Sequence, residues 1–348
     1  MENYLITGGA GFIGSNFIKF LLNKYEDIRI ICLDKLTYAG NKINIKHELD
    51  QYPEKLIFIK GDICDRELIE DIFNKWEINY LVNFAAESHV DRSIKDSNEF
   101  IKTNIKGVQN LLDVLKDLKF SGSKKRFRFL QISTDEVYGS LNKNEEKFTE
   151  KSPLKPNNPY AASKASAELL VHSYHKTYGL PTIISRCSNN YGPYQFPEKL
   201  IPVMINNILK AKKLPVYGDG KNVRDWIHVK DHCEALDIIL KNGEIGEIYN
   251  VGSNNERTNI ALVKELIKET KDLLVKEKKN DFNLEKINQN LIKFVKDRLG
   301  HDKRYSLCIK KIKDKLNWRP SIIFEQGLRN TIKWYINNRN WLKSVKGD

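Results

Sequence analysis

Along its first half the chain alternates short runs of aliphatic and β-branched residues with longer stretches whose apolar positions recur at helical spacing. Residues 4–7, 28–33, 56–60, 80–84, 127–133 and 182–186 read as buried strands. Between them, residues 13–23, 65–75, 100–119 and 160–177 read as amphipathic helices. Strand and helix in strict alternation predict βαβ units, hence an α/β chain built on a doubly wound parallel sheet. After residue 186 the texture changes: stretches 189–197 and 217–222 are rich in Asn, Gly and Pro and separate shorter elements. We therefore expect a first domain over 1–186 and a smaller C-terminal substrate-binding α/β lobe over 187–348, with part of 223–252 returning to the first. The polar stretch 277–290 reads as a surface linker or insertion, and there is no internal repeat.

Bulk composition narrows this only in places. A chain of 348 residues with 41% hydrophobic residues can bury two cores. The mean hydropathy is −0.51 and no apolar run is long enough to span a bilayer, so no membrane partner is expected. The apolar stretch that starts at Tyr4 ends in glycine by Gly8, too short for a signal peptide. Five scattered cysteines without a C-x-x-C pair predict reduced thiols and a cytoplasmic location. His172/His175 and His228/His232 lack a matching set of ligands, so no metal is expected. The net charge of +13 comes from lysine dispersed among glutamate, which excludes a nucleic-acid tract and suits an anionic substrate only weakly.

The first strand runs into Gly8-Gly9-Ala10-Gly11-Phe12-Ile13-Gly14 and then a helix, satisfying G-x-x-G-x-x-G through Gly8, Gly11 and Gly14. A side chain at these positions would block the tight turn, hold a pyrophosphate off the backbone, or wedge the helix from the sheet. Strand before and helix after make this a Rossmann-type dinucleotide site. Asp34 ends the second strand 20 residues beyond Gly14, where an acid binds ribose hydroxyls and repels a 2′-phosphate, so the cofactor expected is NAD⁺. Asp62, after the third strand, is placed to address the adenine.

Tyrosine with lysine four residues later shares a helix face, and the ammonium, with the nicotinamide charge, is expected to lower the phenol pKa so that a phenolate accepts a hydroxyl proton. The pattern occurs at Tyr38/Lys42, Tyr160/Lys164 and Tyr217/Lys221, but only Tyr160/Lys164 opens a helical segment. The strand at 127–133 delivers Ser133-Thr134-Asp135-Glu136 to its C-terminal end, where ligands meet an open parallel sheet. Adjacent carboxylates there fit either two distinct proton transfers or a solvated turn, and spacing alone leaves both open.

Together these residues resemble the extended short-chain dehydrogenase/reductases and, within them, the dTDP-glucose 4,6-dehydratase family. The likeness is carried by TGGAGFIGS at 7–15, DKLTYAGN at 34–41, NFAAESHVDRSI at 83–94, STDEVYG at 133–139 and NPYAASKASAE at 158–168. It continues through CSNNYGPYQFPEKLIP at 187–202, PVYGDGKNVRDWIHV at 215–229 and DRLGHDKRY at 297–305, sparing chiefly 277–290. Leu299 stands where the family commonly has proline. The resemblance implies a lyase in deoxysugar biosynthesis that turns a nucleotide-diphosphate glucose into its 4-keto-6-deoxy form. In that reading Thr134 binds the 4-hydroxyl, and Tyr160 takes its proton with Lys164 in support, as C4 yields hydride to NAD⁺. Glu136 then removes the C5 proton, protonated Asp135 donates to the departing 6-hydroxyl, and hydride returns to C6.

It further implies that Phe12, Ile13, Asp34, Lys35, Leu36, Thr37, Asp62, Ile63, Phe84, Ala85, Ala86, Ser88, Thr103 and Asn190 contact the cofactor, with Tyr160 and Lys164. The nucleotide sugar would meet Ser88, Thr134, Asn189, Lys199, Leu200, Pro215, Val216, Tyr217, Arg224, Asn259, Asp297, Arg298 and His301. Arg224 and Arg298 suit a pyrophosphate because planar guanidinium matches phosphate oxygens. A homodimer through helices 100–119 and 160–177 is also implied. Two rivals remain at this stage. A nucleotide-sugar 4-epimerase needs no C5 base, against Asp135 and Glu136; a non-catalytic NAD-binding protein needs neither those carboxylates nor Tyr160. The base, dTDP, UDP or another, stays open.

Overall fold

The computed structural model describes residues 1–121, 127–279 and 281–346. Twelve strands are found among them: β1 (Glu2–Thr7), β2 (Ile28–Asp34), β3 (Leu56–Lys60), β4 (Tyr80–Asn83), β5 (Arg128–Thr134), β6 (Thr182–Cys187), β7 (Asn189–Tyr191), β8 (Leu214–Tyr217), β9 (Val223–His228), β10 (Ile248–Val251), β11 (Glu256–Thr258) and β12 (Ile292–Val295). Seven form one sheet in the order β10-β6-β5-β4-β1-β2-β3, every neighbouring pair parallel. The chain leaves β1 outward through β2 and β3, then returns to the other side of β1 with β4. The crevice at that reversal is where a doubly wound sheet binds its ligand.

The helices are α1 (Phe12–Lys24), α2 (Lys46–Gln51), α3 (Arg66–Lys75), α4 (Val90–Lys95), α5 (Asn98–Phe100), α6 (Val108–Phe120), α7 (Pro159–Tyr178), α8 (Leu200–Leu209), α9 (Val229–Asn242), α10 (Asn259–Lys276), α11 (Lys310–Leu316), α12 (Phe324–Asn337) and α13 (Arg339–Lys346). Phe17, Ile18 and Leu21 of α1 pack with Leu236, Ile239 and Leu240 of α9 on one face of the sheet. Ile69, Leu111, Leu112, Leu115 and Val171, from α3, α6 and α7, cover the other. α7 starts where its sequence says it should: Asn158 caps the Ala161 amide, Pro159 takes the first helical position, and Gly179 (φ 65°) ends it left-handed.

The smaller lobe packs α8, α10 and α12 around Met204, Ile205, Leu266, Leu328 and Ile332. It adds the parallel pair β8–β12 and the three-stranded sheet β11-β9-β7. β10 lies in the main sheet beside β6, and Ile309, Ile312 and Trp318 join the first core, so residues from beyond position 186 complete it.

Three expectations need correction. The helix read over 100–119 is interrupted: Ile101–Gly107 is a π-helical turn between α5 and α6. There the extra residue lets buried Asn104 reach the Glu87 backbone and the Ser163 hydroxyl, while a Cβ at Gly107 would meet Ile63 at 2.5 Å. Asn189–Tyr191, inside a stretch read as loop, pairs with β9. The polar stretch 277–290 is no free linker, because Ile287 is 1% exposed and Phe282 and Leu284 pack on the second core; Asn280 lies outside the described residues. Among the described residues no helix is long and apolar enough to cross a membrane.

Candidate active site

A cavity of about 580 Å³ opens at the sheet's reversal point, between the two lobes. Its floor is the glycine-rich turn. Gly8 (φ 67°) admits no side chain, since a Cβ would come within 2.6 Å of the Ala85 nitrogen, and one at Gly14 would strike the Gly8 oxygen at 2.5 Å. β1 and β4 therefore close together beneath the start of α1. No side chain caps that helix N-terminus, which leaves its first amides and dipole for an anion. Asp34 is buried, and each of its oxygens accepts a backbone amide, from Ala10 (2.9 Å) and Leu36 (2.8 Å). It thereby fastens the turn and keeps lone pairs for a ribose hydroxyl. Asp62 pairs with Lys35 at 2.9 Å, and Thr103 reaches the wall from the π-helical turn. An uncapped helix end, a glycine cradle and an acid at the second strand fit a dinucleotide.

The chemistry-bearing groups converge above the C-terminal end of β5. Glu136 sits in the 3-10 turn Asp135–Tyr138, its amide bonded to the Thr134 hydroxyl at 3.3 Å, and its carboxylate accepts Asn158 Nδ2 at 3.3 Å. Asp135 is 2% exposed, and its Oδ2 has no hydrogen-bond partner. Burial, with Glu136 beside it, pushes its carboxyl well above the usual range and so favours the protonated form. Burial also raises Glu136, while the Arg224 guanidinium pulls it back down. Both carboxyls are raised, and the Arg224 guanidinium is what favours the ionised form of Glu136.

Tyr160 and Lys164 share a face of α7, as the spacing requires, and both line the cavity. Lys164 Nζ donates to the Ile132 carbonyl at 2.6 Å, and burial lowers the amine to about 8. Burial first, then Glu136 and Cys187, push the Tyr160 phenol well above its ordinary value, and a hydrogen bond with Thr134 opposes them. The protein's own groups thus favour the neutral phenol, so the phenolate that proton transfer needs falls to the positive charge of a bound nicotinamide acting with Lys164.

Of the residues singled out for the sugar nucleotide, Ser88, Asn189, Lys199, Leu200, Pro215, Tyr217, Arg224, Asn259, Arg298 and His301 line the cavity with Thr134. Val216 does not: β8 alternates, so Pro215 and Tyr217 face the cavity and Val216 the second core. Leu36 and Asp297 also lie off the wall, Asp297 accepting the His301 ring and the Arg298 amide. Arg224 is buried, bonds the Val223 and Asp302 carbonyls and stacks 4.2 Å over Tyr305. Arg298 is held by Asp91, with Nε 2.6 Å from its carboxylate. Lys199 donates to the Ser88 carbonyl at 2.8 Å, which ties the lobes together across the opening. Asn190 lines the wall and meets His232 at 2.9 Å.

The sequence reading missed Tyr38, Cys187, Glu198 and Tyr305, which also line the cavity, and Asn158, which steadies Glu136. Asn158 had a local signal, an Asn-Pro helix start, and Tyr38 and Glu198 sit directly beside Thr37 and Lys199. Unpartnered buried atoms gather here: Asp135 Oδ2, Ser188 Oγ, Asn189 Oδ1, Gln195 Oε1 and Asn259 Oδ1. Interior polar atoms are rarely left unpaired, so this set suits a polar ligand. Among the described residues no group of three or more His, Cys, Asp or Glu could hold a metal ion.

Residues 5–331 match the model of the family described as GDP-mannose 4,6 dehydratase. The dTDP-glucose 4,6-dehydratase of Haemophilus influenzae is 49% identical over 97% of this chain and 99% of its own length. The dTDP-glucose 4,6-dehydratase of Bacillus anthracis, solved in complex with NAD, superposes with a TM-score of 0.87 at 46% identity, over 99% of this chain and 100% of that one. The corresponding Streptomyces venezuelae enzyme, also with NAD bound, gives 0.88 at 43% identity over 99% of both chains. With one fold, one arrangement of segments and nearly half its residues in common with these enzymes, the chain belongs to the GDP-mannose 4,6 dehydratase family, among relatives that are dTDP-glucose 4,6-dehydratases.

Proposed function

We propose that the chain is an NAD⁺-dependent hydro-lyase that dehydrates a nucleotide-diphosphate glucose, dTDP-glucose first among them, to the 4-keto-6-deoxy sugar. The observation that carries this is the Thr134-Asp135-Glu136 turn facing Tyr160, with Asp135 pushed toward its protonated form by burial and by Glu136, and Glu136 facing the Arg224 guanidinium, which favours its ionised form. An epimerase has no use for that pair.

NAD⁺, when bound, accepts a hydride from C4 and returns it to C6. The protein does the rest. Thr134 and Tyr160 hold the 4-hydroxyl, and Tyr160 takes its proton as the C4–H bond breaks. The ketone acidifies the C5 hydrogen, and Glu136, oriented by Asn158, removes it. Asp135 passes its proton to the 6-hydroxyl, the C6–O bond breaks and water leaves, and Glu136 returns its proton to C5 as C6 regains the hydride. Arg224, Lys199 and Arg298 supply positive charge for the diphosphate. A second copy of the chain is the partner we propose for the outer face of the 98–120 helix and α7, where Ile101 and Leu169 are 45% and 61% exposed. Light scattering at twice 40.5 kDa supports the dimer, and a stable monomer removes it.

The test is to incubate the holoenzyme with dTDP-glucose and with UDP-glucose, following product mass and proton NMR. Loss of one water and a new C6 methyl signal are expected. Unchanged mass with glucose converted to galactose would make the chain an epimerase instead.

A further inference from the structure

The last helix of the chain reaches back to the first cofactor-binding turn. Trp341 Nε1 donates to Asn44 Oδ1 at 2.7 Å, across 297 residues of sequence. The same Asn44 amide donates through Nδ2 to the Ala10 carbonyl at 2.8 Å. An indole N–H only donates and a carbonyl only accepts, so the amide has one satisfactory orientation. Both residues are buried, Asn44 to 2% exposure. Trp341 is itself wedged among Tyr194, Trp334 and Tyr335.

Ala10 is the centre of the Gly8–Gly14 turn. Its amide is held by Asp34, and its carbonyl also accepts the Asn41 amide at 3.0 Å. Because a peptide unit is planar, fixing the Ala10 oxygen fixes the direction of the Gly11 N–H, which closes the turn onto the Gly8 oxygen at 3.1 Å. That closure aims the free end of α1. We infer that Trp341 is a positioning residue for the cofactor: through Asn44 it locks the Ala10–Gly11 peptide and slows the escape of the dinucleotide. This rests on reading the site as one for NAD⁺. It suits a reaction in which the hydride must be returned by the molecule that took it.

The test uses the full chain loaded with isotopically labelled NAD⁺ and chased with unlabelled NAD⁺, the retained label being followed in time. Trp341→Phe keeps an aromatic ring in the same slot but leaves Asn44 Oδ1 unpaired. It is expected to release NAD⁺ roughly tenfold faster, the worth of one buried hydrogen bond. Val345→Ala loosens the same helix against the second core without touching Asn44. It is expected to lower the melting temperature yet release NAD⁺ at the parent rate. Release from Trp341→Phe at the parent rate overturns the inference, as does release from Val345→Ala as fast as from Trp341→Phe. A parent chain that takes up no NAD⁺ at all would instead sink the cofactor reading, and this inference with it.

Discussion

Asp135→Asn separates the two things its environment does. The native side chain is 2% exposed, accepts only the Thr134 hydroxyl at 3.3 Å, and has one oxygen without a partner. If burial and Glu136 keep it protonated, the substitution exchanges one neutral group for another of the same shape. Folding stability should then change by less than about 1 kcal/mol, the net worth of a neutral hydrogen bond. Elimination should fall by roughly 10²–10⁴, or about 3–5 kcal/mol of barrier, because an amide has no proton to give the 6-hydroxyl. Glu136 is untouched, so in deuterium oxide the recovered sugar nucleotide should carry label at C5 without having lost water. Urea denaturation, rapid-quench product mass and NMR of the recovered substrate make the set. A variant that eliminates within about tenfold of the parent shows that Asp135 is not the acid. A stability loss above roughly 3 kcal/mol shows that the native group is an ionised, paired carboxylate.

Three further outcomes are expected. Glu168 and Arg186 form a buried ion pair, 2% and 4% exposed, whose guanidinium also donates to the Tyr138 hydroxyl; Glu168→Gln should cost about 3–5 kcal/mol in denaturation, whereas replacing both partners by apolar residues should restore most of it. Lys164 is lowered to about 8 by burial, with Glu168 opposing the shift; if its ammonium supports Tyr160, activity should decline as pH rises through that value. The decline should begin at lower pH in a Glu168→Gln chain that still folds, and a rate flat across that range would refute the role. Gly8→Ala sets a methyl 2.6 Å from the Ala85 nitrogen at φ 67°, and should lower the melting temperature by an amount worth about 1–3 kcal/mol and weaken NAD⁺ uptake measured by calorimetry.

What could be read from the chain alone was whatever depends on neighbours in sequence. The strand, glycine turn and helix at 2–24 and the Thr134-Asp135-Glu136 turn at the end of β5 are local, and the sheet then places them opposite one another. The π-helical turn was invisible because one inserted residue leaves the apolar spacing of 100–119 nearly intact. Ile287 was missed for the opposite reason: a single apolar plug in a charged stretch has no period at all. Val216 could have been placed correctly, since strand alternation alone sends it away from Pro215 and Tyr217. The Lys164–Ile132 contact could not, because it depends on how closely α7 lies over β5.

The crossing of the two cores also has a consequence for how the molecule is made. Tyr4 and Trp318 belong to one apolar cluster, and β10 is laid beside β6 only after sixty residues, α8 of the smaller lobe among them, have intervened. A ribosome that has released residue 186 has thus delivered most of the cofactor-binding residues but not a finished core. α9, β10 and α11 must still arrive to cover Ile183, Leu130 and their neighbours. The nascent first half should stay sticky, and in need of chaperones, until nearly the whole chain has emerged.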